Sequence, residues 1–243
     1  MMDSDAYASD LAYVHDQGFG GFASGAAPGL LDLLDQAGVK DGRVVDLGCG
    51  SGIWAGELVE AGFQVVGVDI SPAMIEIARH RVPDAEFHVG SFLHFCLPPC
   101  RAITALGEVF NYLFDSSNSL RSLQDALSRA FDVLMPGGLL VFDVAEPGRC
   151  GGRKQAFIEG DDWACLVEYQ HDESNQQLTR RIVTFRKVAD AYRRHEETHR
   201  QQLFEESSVT QMLQSIGFRV LPLRGYGGFA LADGVVGFVA VKT

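Results

Sequence analysis

No run of apolar residues in this chain approaches the roughly 20 needed to cross a bilayer as a helix. Nor does it open on the basic-then-apolar pattern of a secretory leader, since "MMDSDAYASD" is acidic. Positive charge is the second shortage. Lys and Arg number 20 against 32 Asp and Glu, a net charge of −12. Nucleic acid and anionic lipid are held by clustered cations that displace counterions, so neither is an expected partner. The five cysteines are odd in number and irregularly spaced, which excludes a disulfide scaffold and fits a reducing compartment. Cys96 and Cys100 bracket "LPP" with no second pair and no nearby His pair, so they are read as packing residues and no metal site is expected. Internal repeats and low-complexity tracts are also missing. These absences leave a cytoplasmic protein, monomer or homodimer, whose partner is a small molecule.

There is ample material for a core. The 243 residues are 47% hydrophobic and 21% charged, the balance of an ordinary globular domain. From residue 43 short apolar runs alternate with helical ones. "RVVDLG", "QVVGVDI", "AEFHVGS", "AITALGE" and "LLVFDVAEP" read as strands. Between them, "SGIWAGELVEAG" puts Ile53, Trp54, Leu58 and Val59 at helical spacing before Gly62. Ser71 and Pro72 supply an N-cap and first position for "AMIEIARHRV". Leu120, Leu123, Leu127, Phe131 and Leu134 repeat with a helical period. Strands alternating with helices predict an open, mostly parallel sheet that places ligands beyond the carboxyl ends of its strands.

The rhythm changes after Pro147. "WACLVEYQ", "LTRRIVTFRK" and "AYRRHEETHRQQLF" alternate and predict a small antiparallel sheet. Between Trp163 and Phe204 lie seven basic and six acidic residues. Over an otherwise acidic body this stretch either helps to receive an anionic or polar substrate or is a solvated sheet face. "SSVTQMLQSIGF" returns to helix, with Ser207 or Ser208 as cap and Gly217 as stop, and "RVLPLRGY" with "GVVGFVAVKT" predicts an antiparallel strand pair. The expected fold is α/β and Rossmann-like: a mostly parallel seven-stranded sheet with an antiparallel C-terminal hairpin, plus a small antiparallel β insertion after strand 5. Residues 1–40 would form a helical cap or lid, 41–151 and 205–243 the core, and 152–204 the insertion, on the substrate side or at an oligomer contact.

The densest chemistry lies in "VVDLGCGSG", Val44 to Gly52, where Asp46 precedes Gly48, Gly50 and Gly52. Glycine is costly to order, so three spaced two apart imply a tight turn or a close approach by a ligand. One reading is a dinucleotide loop, since Gly50, Gly52 and Ala55 keep its spacing and Asp69 follows at a distance suited to a ribose hydroxyl. Against it, Asp46 and Gly48 already occupy the turn where such a motif begins.

The stretch closely resembles the nucleoside-binding loop of class I S-adenosylmethionine-dependent methyltransferases. The resemblance extends through "GVDIS", "HVGSF" and "LMPGGLLVFDV", in order, over about residues 41 to 146. It implies S-adenosylmethionine as cofactor and S-adenosylhomocysteine as product. Asp46 would take the cofactor's ammonium, and loop amides from Gly48, Cys49, Gly50 and Gly52 its carboxylate. Asp69 would accept the ribose hydroxyls, Ile70 and Met74 would wall the adenine, Ser91 and Phe92 would border its polar edge, and Leu106 would complete the pocket. Many family members carry an acidic residue at or near Ser91, where this chain has a hydroxyl. Core packing is the alternative role for Ile70, Met74 and Phe92.

A sulfonium is an excellent leaving group, so alignment and exclusion of water do most of the work, with a base needed only if the acceptor sheds a proton. "ALGEVFNYLFD" follows the fourth strand and offers Glu108 as proton acceptor with Asn111 and Tyr112 as substrate contacts; a surface helix-start role competes for Glu108 and packing for Tyr112. "AYVHDQGFGGFA" offers His15 as a second base and Tyr13, Phe19 and Phe22 as a closing wall, with Gly18, Gly20 and Gly21 allowing movement. His199, Arg200 and Tyr226 are further candidates. The layout is similar to amino-sugar N,N-dimethyltransferases, although Asn111 stands where a small residue is common. The expected activity is methyl transfer to N or O of a small polar molecule. The rivals are a nicotinamide-dependent oxidoreductase and a non-catalytic nucleoside-binding sensor or partner protein.

Overall fold

The computed structural model describes residues 6–243; residues 1–5, the acidic opening of the expected cap, lie outside the described residues. Two helices lead in, α1 (Ser9–Phe19) and α2 (Gly21–Gln36). The chain then alternates β1 (Arg43–Leu47), α3 (Ile53–Glu60), β2 (Gln64–Asp69), α4 (Pro72–Arg81), β3 (Glu86–Val89) and β4 (Cys100–Ala105). A short 3-10 turn (Val109–Asn111) precedes α5 (Leu120–Val133) and the long β5 (Leu134–Ala145). Ser71 caps α4 by accepting the Met74 amide, with Pro72 at the first helical position. Ser119 and Ser122 form a reciprocal capping box on α5.

After β5 come β6 (Gln155–Glu159), β7 (Trp163–Asp172), β8 (Gln177–Val188) and β9 (Ala191–Gln202), a four-stranded antiparallel sheet in sequential order. The first of these strands was not legible, because only Ala156 in it is even half-buried and no alternation marks it. Next are α6 (Glu206–Ile216), β10 (Phe218–Leu223), the two-residue strands β11 (Gly225–Tyr226) and β12 (Phe229–Ala230), and β13 (Val235–Lys242). α6 begins earlier than the expected Ser207 or Ser208 cap: Glu205 holds the cap position and its side chain accepts no capping bond.

The main sheet runs β10-β13-β5-β4-β1-β2-β3. β1 to β5 are parallel, and β13 runs antiparallel to both its neighbours, as a Rossmann-like α/β sheet with an antiparallel end requires. Continuous burial along "VVDL" and "LLVFDVA" follows from covering both faces. On one face α5 and α6 lay Leu123, Leu127 and Leu213 against Phe142 and Phe238. On the other, Leu30 and Leu34 of α2, Leu58 of α3 and Ile75 of α4 cover Val44, Val65 and Val141. Cys100 is buried as expected of a packing residue, whereas Cys96 is exposed. Strand order reverses between β4 and β1, so a crevice opens at their carboxyl ends, the place where such sheets bind ligands. α1 packs away from that sheet: Leu11 and Val14 meet Trp163, Cys165 and Ile182 of the insertion. The insertion thereby arches over the crevice.

Candidate active site

The crevice is a cavity of about 990 Å³, floored by the turn after β1 and roofed by α1 and one face of the insertion. Gly48 and Gly50 adopt left-handed φ of 67° and 53°, conformations that glycine reaches without steric cost. The amides of Gly48 and Cys49 donate to Val68 O at 2.7 and 3.1 Å, and the Gly50 amide donates to Asp69 Oδ2 at 2.9 Å. The Ser71 amide takes the other oxygen of Asp69 at 2.8 Å, so the turns after β1 and β2 share one carboxylate. A Cβ on Gly50 would meet nothing within 4 Å. Gly52 departs from expectation: it does not border the cavity, and a Cβ there would sit 3.0 Å from Ala78 Cβ, so it permits the close approach of α3 and α4.

Asp46 borders the cavity, buried, with Thr104 Oγ1 donating to it at 2.7 Å and Trp54 Nε1 donating to Thr104 at 3.1 Å. Burial lifts its carboxyl to about 7 despite the Thr104 bond, because no cation answers it. Burial also raises Asp69, opposed by the Ser71 and Gly50 amides. Cys49, Ile70, Met74, Ser91, Phe92 and Leu106 all line the same space. Burial pushes the Cys49 thiol well up, which leaves it no nucleophilic role. Met74 is also a core residue, and Phe92 packs at a tilt on Phe110, ring centroids 5.2 Å apart, so the lining and packing roles coincide.

The structure supplies an acid where the sequence shows only Ser91. Asp115 is buried at the cavity edge beside the Ser91 hydroxyl. Its Oδ1 accepts the Ser117 amide and hydroxyl at 3.0 and 2.6 Å, while its buried Oδ2 lies 3.3 Å from His94 Nε2. Burial is outweighed by these hydroxyls, and its carboxyl sits below the ordinary range.

Glu108 reaches the cavity but is not built to accept a proton. Arg149 Nε lies 2.6 Å from Oε1, and Arg180 Nη2 and Gln201 Nε2 lie 2.7 and 2.8 Å from Oε2. Burial would raise its pKa, yet the two arginines hold it at about 2, so it stays ionised and saturated with donors. Its left-handed φ of 64° is held by Asp143, whose Oδ1 accepts the Glu108 amide at 2.6 Å and whose Oδ2 accepts the Gly107 amide at 3.0 Å. Asn111 is a second correction. It is fully buried away from the cavity, bracketing β5 and β9 through Ala145 N and O and Gln202 O at 2.9, 3.0 and 2.6 Å. Tyr13 is a third: its hydroxyl donates to Asp162 at 2.9 Å and its ring lies under the Arg186 guanidinium at 3.6 Å, outside the cavity.

His15, Phe19, Phe22, Tyr112 and His199 line the cavity. Burial drops His15 to about 4, so it is neutral at pH 7. Gly18 does not act as a hinge: a Cβ there would clash with Trp163 at 2.5 Å, so its smallness seats α1 on the insertion. Tyr226 is buried with its hydroxyl 3.3 Å from Asp143 Oδ2, and neither it nor Arg200 borders the cavity. The insertion's charge proves to be largely paired, within the sheet and with Glu108 and α1. Arg180 answers Glu108, Arg181 answers Glu168 and Glu196, Arg186 and Arg193 answer Asp10, and Arg194 answers Glu196. The sheet is thus paired rather than an open anion trap.

Residues the sequence did not reveal include Tyr7, Phe114, Asp115 and Arg180, all at the cavity. Phe114 and Asp115 carried a signal as the end of the cleft segment "ALGEVFNYLFD", and Arg180 one through its alternation with Ile182 along β8.

A family model described as a methyltransferase domain matches residues 22–223. The chain is 26% identical over 223 residues to a dTDP-3-amino-3,6-dideoxy-alpha-D-glucopyranose N,N-dimethyltransferase of Streptomyces fradiae, covering 88% of this chain and 86% of that protein. In fold it matches a S-adenosylmethionine-dependent methyltransferase of Clostridium acetobutylicum with a TM-score of 0.80 at 17% identity, covering 95% of this chain and 97% of the other. It also matches an amino pentose methyltransferase of Micromonospora echinaspora, solved with S-adenosylmethionine bound, with a TM-score of 0.76 at 21% identity over 95% and 97% of the two chains.

Proposed function

The chain belongs to the methyltransferase-domain family, and from that premise we propose that it transfers a methyl group from S-adenosylmethionine to nitrogen or oxygen of a small polar molecule. The observation that carries this reading is the pairing, in one cavity, of an uncompensated buried carboxyl at Asp46 with the open glycine turn that Asp69 braces. Such a floor fits an amino-acid tail and a sugar in sequence. Asp46 gives an ammonium its missing counter-charge, and the turn leaves room beside Gly50 for a carboxylate. Asp69 offers its remaining lone pairs to a diol, since each carboxylate oxygen already holds one amide but can accept another bond. Ile70 and Met74 give a flat base apolar walls, and the Asp115 carboxylate at the cavity edge, beside Ser91, suits an exocyclic amine.

When bound, the cofactor supplies an activated methyl on a sulfonium with a ready leaving group. The protein's part is to align an acceptor and exclude water. His15, Phe19 and Phe22 close the side of α1 and α2, while Tyr7, Tyr112 and Phe114 close the side of the insertion. The amino-sugar relatives support an acceptor of sugar size, because this cavity has volume beyond what the floor needs. Calorimetric titration with S-adenosylmethionine, followed by a metabolite screen for S-adenosylhomocysteine release, tests the reading. Binding and release support it, and failure of wild type to bind the cofactor removes it.

A further inference from the structure

Among the described residues, buried polar atoms without a hydrogen-bond partner gather on one face of the insertion: Arg180 Nε, Thr184 Oγ1, Arg186 Nε, His195 Nε2 (3.5 Å from Glu197 Oε1), His199 Nδ1 and Gln201 Oε1. Alternation along β8 and β9 puts all six on the same side of the sheet. Leaving such an atom unpaired costs about 1–3 kcal/mol, so each calls for a use. Of these residues, only Arg180 and His199 border the cavity. Arg180 is already spent on Glu108 and Tyr112.

His199 is different. It is 1% exposed, and its Nε2 lies 2.8 Å from Glu197 Oε2, an arrangement in which Nε2 must carry the hydrogen because a carboxylate only accepts. In the neutral ring Nδ1 then presents its lone pair, with no hydrogen-bond partner among the described residues. Glu197 is fixed in turn by the amides of Tyr7 and Ala8, which donate to it at 2.8 and 3.0 Å. A base oriented by a carboxylate that is itself anchored is the arrangement general-base chemistry uses. Around the imidazole stand Tyr7, Tyr112 and Phe114, with ring centroids 4.8, 6.0 and 4.7 Å away. These rings stabilise positive charge that develops nearby.

We propose that His199, oriented by Glu197, takes the proton released when the acceptor is methylated, and that the acceptor is a primary or secondary amine. This rests on the methyltransferase reading above. The nitrogen lone pair forms the new N–C bond, the C–S bond breaks with its electron pair to sulfur, and the N–H proton passes to His199 Nδ1. A carboxylate acceptor has no proton to give and would leave the device idle. A hydroxyl must lose its proton to become nucleophilic enough, and an imidazole is too weak a base to generate an alkoxide, whereas a neutral amine attacks through its lone pair and its N–H becomes acidic as it is methylated. The charged and titratable groups facing His199 are Glu197 and His195 on β9, Arg180 on β8, Tyr7 and His15 on the N-terminal side, and Tyr112 after β4.

The first test needs no acceptor. Nitrogen-15 spectra of histidine-labelled protein saturated with S-adenosylhomocysteine are expected to show His199 as the Nε2-protonated tautomer; an Nδ1-protonated ring overturns the proposal. The second compares wild type and His199→Ala on a panel of amino sugars and simple amines, their hydroxyl counterparts and matched carboxylates. Transfer is expected to amines alone, falling on the order of 10²–10⁴-fold in the variant, with cofactor affinity unchanged and partial rescue by added imidazole. Transfer to carboxylates or hydroxyls, or an unchanged rate in the variant, sinks this inference while sparing the methyltransferase reading. Transfer to nothing on the panel sinks this inference, and failure of the same protein to bind S-adenosylmethionine sinks both.

Discussion

The floor and the roof of the cavity are built on different physical terms. The floor is backbone: two glycine conformations, a run of amides and one bracing carboxylate on adjacent parallel strands. The roof is side chains drawn from segments far apart in sequence, Tyr7 and His15 at one end, Tyr112 in the middle and His199 beyond. A surface made of main chain recognises what every member of a family binds, while a surface made of side chains can be revised one residue at a time.

The contrast can be broken most sharply at Glu108, which belongs to the roof. Glu108→Ala leaves Arg149 and Arg180 buried without their partner, and breaking such a group costs about 3–5 kcal/mol. Thermal unfolding should fall by roughly 6–20 °C, while calorimetry should find S-adenosylmethionine affinity at low temperature little changed. Equal loss of stability and affinity would show that floor and roof do not separate. The matching test of the floor is Asp69→Ala, expected to cost about 1.5–3 kcal/mol of cofactor affinity, read by the same titration, through lost charge-assisted bonds.

A smaller effect comes from pH. Asp46 has a pKa of about 7 in the free protein, and it must be ionised to hold an ammonium. Below pH 7 a proton must leave before binding, so cofactor affinity should weaken as pH falls, by at most about tenfold per unit. An Asp46→Asn variant should bind weakly and lose this slope; a wild-type affinity flat between pH 5.5 and 8 would exclude Asp46 from the ammonium site. Smallest is Tyr13→Phe, which removes only the bond to Asp162 and should lower stability by about 0.5–1.5 kcal/mol without altering cofactor affinity.

The same contrast explains what could be read from sequence. The glycine turn was legible because main-chain demands leave glycine at fixed spacing, and Gly48 and Gly50 do adopt conformations that glycine serves. The roof was not, because alternation tells which residues share a face but not what that face meets. Glu108 has the residue type of a base, yet two arginines from beyond strand five convert it into a fixed anion. Asn111 looks like a substrate contact in a cleft loop, but all three of its bonds go to backbone. Asp115 shows the converse. An acid that is missing at Ser91 in the sequence is restored in space by a residue 24 positions later.

α1 is fastened mainly to the insertion. Tyr13 reaches Asp162, Asp10 reaches Arg186 and Arg193, and the Tyr7 and Ala8 amides reach Glu197; toward the core run Asp16–Arg81, the Tyr7 carbonyl with Ser71 and the Tyr7 hydroxyl with Tyr112. Anyone wishing to exchange the insertion between two such proteins must therefore move both segments together. A chimera that exchanges one of them would inherit a roof whose halves no longer lock.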